Sequence, residues 1–303
     1  MDFVIGASAG MGACLFTNPL EVLKTKMQLQ GELRAKGQHA VHYRNIFHSS
    51  YVIAKNDGLL ALQKGLVPAL WVQVVLNGVR LGFYQWATNK QLLNDKNGNL
   101  IVSRSVTVSA LGAILGQTLS SPLFLVKTHL QAQSATASLA VGHQHEHTTM
   151  LAAFKNIYAQ QGMKGLFRGV TASVPRAAVG SIMQLLSFDY SKRRLLEYDY
   201  FYDKKILTAF LASMAGGVAI TLAMTPFDLI MTRIYNQPTD ASGKGVLYTS
   251  YKDCMMKIYN AEGFLAFYKG VGPMYLRLGP HTVLCLVFWD HLNTLYMNFL
   301  KKV

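Results

Sequence analysis

The chain has 303 residues, 51% of them hydrophobic and only 15% charged, and a formal net charge of +14. That balance is too apolar for the two or three soluble domains its length would otherwise allow. The basic residues are scattered along apolar segments without an aromatic-basic recognition motif, which argues against nucleic acid as a partner and for anionic lipid or an anionic substrate.

The start, Met1 to Gly6, lacks a basic segment ahead of its apolar stretch and an Arg/Ser-rich presequence, so any organelle address is expected inside the mature helices. A first long helix carries Gly6, Gly10 and Gly12 as a small-residue stripe for close helix packing. Gly6-Ala7-Ser8-Ala9-Gly10 also has the spacing of a hydrolase nucleophile elbow, but that device needs a preceding strand and acid and histidine partners. No catalytic site is expected, and the chain is not read as an enzyme. The helix meets Pro19-Leu20-Glu21-Val22-Leu23-Lys24, then a basic polar loop, a short amphipathic helix, the turn Asp57-Gly58 to Gln63-Lys64-Gly65, and a second long helix. The order then recurs with Gly112 and Gly116, Pro122-Leu123-Phe124-Leu125-Val126-Lys127, Gln161-Gly162 and Phe167-Arg168-Gly169. It recurs again with Ala212 and Gly216, Pro226-Phe227-Asp228-Leu229-Ile230-Met231, Glu262-Gly263 and Tyr268-Lys269-Gly270. The prolines are 103 and 104 residues apart, and two anchors in register define three tandem repeats.

The apolar runs are imperfect: Ile101 to Val126 is interrupted by Arg104 and by Gly, Ser and Gln. Helices apolar on one face and polar on another suit a ring around a polar cavity in a membrane. Pro19, Pro122 and Pro226 fall inside helical patterns, where the lost N–H and the ring clash kink the helix and would draw three helix ends together. Cys14, Cys254 and Cys285 are odd in number and lack metal-type spacing. Gly142-His143-Gln144-His145-Glu146-His147 places three imidazoles at alternate positions of a loop, a spacing that suits zinc, but it reads as an ordinary solvated loop; no metal or cofactor is assigned.

These anchors resemble the signature of the mitochondrial carrier family, P-x-[DE]-x-x-[KR]-x-[KR] followed by [DE]-G-x-x-x-x-[aromatic]-[KR]-G, over nearly the whole chain. Glu21, Lys24 and Lys26 satisfy the first part fully, whereas Gln63 replaces the aromatic residue and Gln161 the acid. The resemblance implies an all-α membrane protein with six transmembrane helices in three two-helix repeats, 1–95, 100–198 and 203–300, with pseudo-threefold symmetry and short matrix amphipathic helices. It implies a multi-pass, monomeric protein of the mitochondrial inner membrane, with cardiolipin at the Lys64-Gly65, Arg168-Gly169 and Lys269-Gly270 turns. A matrix gate would couple Glu21 to Lys127 and Asp228 to Lys24, with Phe124 facing Met231 as an apolar third pair and Gln28, Gln131 and Tyr235 as braces. At the cytoplasmic end only Phe188-Asp189-Tyr190-Ser191-Lys192 keeps the family's charge motif; Gln85 and Asp290 stand in the other two repeats, and Lys192 with Asp290 is the expected ion pair.

Seven residues past each Lys/Arg-Gly anchor stand Val72, Arg176 and Arg277, and the family's substrate contacts fall there and at the next residues, Gln73 and Ala177. Each lies thirteen residues before Gln85, Asp189 or Asp290, about 20 Å of helix, hence near the bilayer midplane. Two arginines at that depth, with Arg80 above them, suit a dianion, because a guanidinium keeps its proton and matches carboxylate or sulfate bidentately. The implied function is exchange of a small organic or inorganic anion, an oxaloacetate, dicarboxylate or sulfate type, by alternating access. An uncoupling-like proton or anion leak and a non-transporting membrane scaffold are the competing readings.

Overall fold

A computed structural model describes residues 2–35, 41–94, 101–198, 200, 204–240 and 243–300. The repeat boundaries expected at 1, 95, 100 and 203 lie outside the described residues. Six long helices alternate with three shorter ones: α1 (Asp2–Leu29), α2 (Ile46–Asn56), α3 (Leu66–Asn89), α4 (Val102–Ala132), α5 (Met150–Leu166), α6 (Val170–Leu196), α7 (Lys205–Asn236), α8 (Tyr251–Glu262) and α9 (Val271–Leu300). An isolated antiparallel bridge joins Thr239 to Gly245.

The short helices start where a polar side chain can satisfy a free N–H. Asn45 accepts from His48 N at 2.9 Å, Thr149 from Ala152 N at 3.2 Å, and Ser250 from Asp253 N at 3.2 Å. The prolines do not end their helices: each lies ten residues before the last residue of α1, α4 or α7. The turns into α3, α6 and α9 need glycine, since Gly65, Gly169 and Gly270 have φ of 70°, 83° and 82°. There the backbone also presses on the next repeat: a Cβ would lie 2.8 Å from Gln131 Cγ at Gly65, 2.9 Å from Tyr235 at Gly169, and 3.2 Å from Gln28 Cγ at Gly270.

Those contacts run cyclically, and so does the helix packing. α1 packs on α3, α3 on α4, α4 on α6, α6 on α7, α7 on α9, and α9 returns to α1, closing a ring. The small-residue stripes permit close approach: a Cβ at Gly116 would sit 2.9 Å from Leu76 O, one at Gly112 3.3 Å from Arg80 O, and one at Gly216 3.2 Å from the Ser187 backbone. Beyond their prolines α1, α4 and α7 also touch one another across the ring.

The polarity of the ring is inverted relative to a soluble bundle. Leu111, Leu115 and Leu119 of α4 and Val218 and Leu222 of α7 are exposed, whereas Gln117, Ser120, Ser121, Thr221 and Thr225 of the same helices are buried. Such an apolar outer surface matches lipid, not water. Leu59–Asn89, Val102–Ala132 and Phe210–Asn236 are long and apolar enough to cross a bilayer.

Candidate functional site

The chemistry concentrates where α1, α4 and α7 converge. Glu and Lys three residues apart share one face of α1, and the equivalent faces of α4 and α7 meet it. Lys127 Nζ lies 2.6 Å from Glu21 Oε1 and Lys24 Nζ 2.7 Å from Asp228 Oδ2, with all four side chains less than a tenth exposed. The braces differ in what they hold. Gln28 donates to Asp228 Oδ2 at 3.0 Å and accepts from Thr232 at 2.8 Å. Gln131 leaves Glu21 alone; it accepts from Thr25 at 3.1 Å and donates to Asn18 at 3.2 Å. Tyr235 Oη lies 2.8 Å from Ser121 Oγ.

Phe124 is more than half of an apolar pair. Lys127 Nζ stands 5.2 Å and the Arg176 guanidinium 5.8 Å from its ring centroid, so two cations share the aromatic face where the resemblance would place an acid. Met231 is buried beside it in the same apolar cluster. The space left between the three helix ends is a cavity of about 10 Å³, room for one water at most.

Both arginines expected near the midplane reach into this cluster. Arg176 Nε donates to Asp228 Oδ1 at 2.6 Å and Nη1 to Gln117 at 3.4 Å. Arg277 Nη1 lies 3.6 Å from Glu21 Oε1, and its Nε is buried with no partner. Asp228 thus has both oxygens occupied by strong donors, while Glu21 has one close cation and one distant. Four cations meet two carboxylates, leaving two positive charges in excess.

Of the other expected contact residues, Gln73 accepts from Asn77 at 3.2 Å and lies 3.5 Å from His281 Nε2, whose Nδ1 is 3.1 Å from Thr17 Oγ1. Arg80 makes no ion pair or hydrogen bond with a described residue. Val72 is buried in the apolar cluster, and Ala177 is buried next to Arg176. His281 and Asn77 went unremarked in the sequence, although each lies four residues past Arg277 or Gln73 and so shares its helix face.

The opposite end of the ring is unlike this one. Gln85 donates to Asn89 on its own helix at 3.0 Å, and Asp189, half exposed, pairs with Arg193 one turn along at 2.9 Å. Lys192 and Asp290 are exposed, and the ion pair expected between them is not formed among the described residues. One end is closed by buried ion pairs, whereas at the other Gln85, Asp189, Lys192 and Asp290 are exposed or half exposed.

A second layer of contacts backs the closed end. Lys26, two residues past Lys24, bonds Gln133 O at 3.0 Å and Ser134 Oγ at 2.6 Å and lies 3.7 Å from Asp57. In the third repeat Arg233 makes a two-pronged bond to Glu262, which also receives Lys269 at 2.6 Å. Burial works against ionisation of Glu262, but these two cations prevail and hold its carboxyl below the usual range. In the second repeat the equivalent positions are the neutral pair His129 and Gln161, which do not meet. His129 instead stacks on His145, ring centroids 3.5 Å apart, and His147 follows at 5.8 Å from His145. The loop expected to be solvated is therefore packed at His145 and His147; His143 alone of the three is exposed.

The family model for mitochondrial carrier proteins matches residues 1–96, 99–199 and 202–300. The chain belongs to the mitochondrial carrier family. Among relatives of this carrier, solute carrier family 25 member 35 of Mus musculus is 48% identical over 99% of the chain and all of the relative. The mitochondrial oxaloacetate transport protein of Saccharomyces cerevisiae is 38% identical, covering the whole chain and 91% of the relative. The mitochondrial citrate transporter E of Aspergillus niger is 37% identical over 96% of the chain and 92% of the relative. The protein is thus a transporter of the carrier type, a multi-pass helical protein of the mitochondrial inner membrane.

Proposed function

We propose that this carrier exchanges a small dianion of the dicarboxylate, keto-acid or sulfate type across the membrane by alternating access, with α1, α3, α4, α6, α7 and α9 as six spans in three repeats. The observation that carries this is the excess of two positive charges in the buried cluster of Lys24, Lys127, Arg176 and Arg277 with Glu21 and Asp228. A buried excess of this size calls for an anion of matching charge. The printed names of the relatives, an oxaloacetate and a citrate transporter, support a carboxylate.

The substrate enters from the open cytoplasmic mouth, passes Arg80, and binds Arg176, Arg277 and Gln73, with Val72 and Ala177 as the small apolar neighbours. Because Arg176 is hydrogen-bonded to Asp228 and Arg277 is ion-paired with Glu21 at 3.6 Å, the substrate competes with these two carboxylates for the arginines. Arg176 drawn onto the substrate leaves Asp228 with Lys24 and Gln28, and Arg277 drawn onto it leaves Glu21 with Lys127 alone, so binding itself weakens the matrix gate. The cytoplasmic groups Gln85, Asp189, Lys192 and Asp290 then close behind the substrate. Cardiolipin phosphates at the Gly65, Gly169 and Gly270 turns, which open α3, α6 and α9 at their N-termini, fit a monomer held by lipid.

The test is uptake of labelled oxaloacetate, malate, sulfate and ADP into liposomes holding the purified protein, with Arg176→Ala and Arg277→Ala alongside. Saturable uptake of a dianion, lost in both variants, is expected. ADP uptake, or no uptake of any of the four, would overturn the substrate class; a current independent of counter-substrate would turn the reading to a leak.

A further inference from the structure

His129, His145 and His147 offer nitrogen atoms that all lie within 4.8 Å of one another. His129 Nε2 donates to Tyr235 O at 2.9 Å and His145 Nε2 donates to Asn236 O at 3.1 Å. A carbonyl partner can only accept, so both rings carry their proton on Nε2 and turn a bare Nδ1 lone pair away from it. Fixing a tautomer through a backbone carbonyl is how metal-ligating imidazoles are oriented in general. His129 Nδ1 and both nitrogens of His147 are buried with no hydrogen-bond partner. Unsatisfied buried nitrogens of this kind call for an occupant. We propose that His129, His145 and His147 form a binding site for a nitrogen-seeking transition-metal ion of the zinc type, on the matrix side of the second repeat.

The choice of ion follows from the donors. Carboxylates are absent from the cluster, which disfavours magnesium and calcium. The guanidinium of Arg168, 3.5 Å from the same Tyr235 carbonyl, opposes added positive charge, so the affinity must come from the nitrogen bonds themselves. Tetrahedral zinc with bonds of about 2.0 Å brings nitrogens to roughly 3.3 Å of one another. The adjustment falls on the two loop residues: the His145 ring, stacked nearly parallel on His129 at 3.5 Å, must tilt off that stack so that its Nδ1 lone pair converges with that of His129, and the unbonded His147 ring must turn to meet them, with water in the fourth position. A bound ion would staple the end of α4 to the following loop and, through Tyr235 and Asn236, to the end of α7.

The test uses full-length carrier purified without a histidine tag, stripped with chelator, and titrated with zinc against a chromophoric chelator; cobalt replaces zinc for spectroscopy. One zinc per chain is expected, with tetrahedral cobalt absorption and a zinc-dependent rise in melting temperature. His147→Ala and His145→Ala should weaken binding by more than about tenfold and remove that rise, while His143→Ala leaves both intact. His147→Ala is on a loop, and its metal-free melting temperature checks that it folds. Zinc held equally well by the His147 and His145 variants, or none held by the wild type, would overturn the site.

Discussion

Lys24 and Lys127 occupy equivalent positions, yet their removal should differ in cost. Lys24→Ala leaves Asp228 with Arg176 at 2.6 Å and Gln28 at 3.0 Å, so one of three donors to a charged acceptor is lost, about 1.5–3 kcal/mol. Lys127→Ala leaves Glu21 with only Arg277 at 3.6 Å, because Gln131 is turned toward Asn18 and Thr25. That nearly strands a buried carboxylate, about 3–5 kcal/mol. The difference of about 2 kcal/mol corresponds to roughly thirtyfold in the stability of the closed gate. Melting curves of the two variants in detergent read it directly, at about 1.5 °C per kcal/mol for a chain of 303 residues. If stranded charge is the cause, adding Glu21→Gln to Lys127→Ala should recover most of the loss. A Lys24→Ala variant that melts at or below Lys127→Ala, or a double variant no better than the single, would refute the reasoning.

Arg80→Gln should weaken anion uptake through a higher KM while shifting stability by no more than about 0.5 kcal/mol, since Arg80 has no partner to strand; uptake kinetics and melting on one preparation check both halves. Gly169→Ala should destabilise by about 1–3 kcal/mol, because φ is 83° and the new Cβ meets Tyr235 at 2.9 Å, whereas Gly82→Ala, with nothing within 4 Å, should be neutral or gain up to about 1 kcal/mol of helix propensity. Glu262 is held below the usual carboxylate range by Arg233 and Lys269, so its stabilisation is full at neutral pH and is lost as pH falls through the folded value. The melting advantage of wild type over Glu262→Gln should therefore be largest near neutrality and shrink in acid.

Glu21, Lys24, Lys127 and Asp228 were legible because the signature is linear: an acid and a base three residues apart share a helix face, and threefold repetition supplies each partner. Arg176 and Arg277 were legible as buried charges, but their bonds to the gate acids were not, since those contacts join α6 to α7 and α9 to α1 across helix faces that no spacing encodes. The expected pair of Lys192 with Asp290 is not formed among the described residues, for a related reason. Sequence fixes which charges flank a mouth, whereas conformation decides whether they meet. His129 hid in plain view: reading the last base of each signature in turn gives Lys26, His129 and Arg233, set against Asp57, Gln161 and Glu262. Both partners change in the second repeat, and that joint change frees His129 to join the loop histidines.

The other joint change, Phe124 with Met231, bears on what is carried. Phe124 holds the faces of Lys127 and Arg176 at 5.2 and 5.8 Å without neutralising either. Phe124→Glu would put a tethered carboxylate within reach of Arg176, and a tethered group competes at an effective concentration in the millimolar range or above. It would also cut the positive excess from two charges to one. Dianion uptake should fall while the closed gate gains stability. Adding Met231→Lys should give the new acid a partner across the α4 and α7 contact, release Arg176, and restore the excess, so uptake should recover in the double variant. If Phe124→Glu alone carries anions as well as wild type, or if Met231→Lys restores nothing, then neither the charge excess nor Arg176 governs substrate choice.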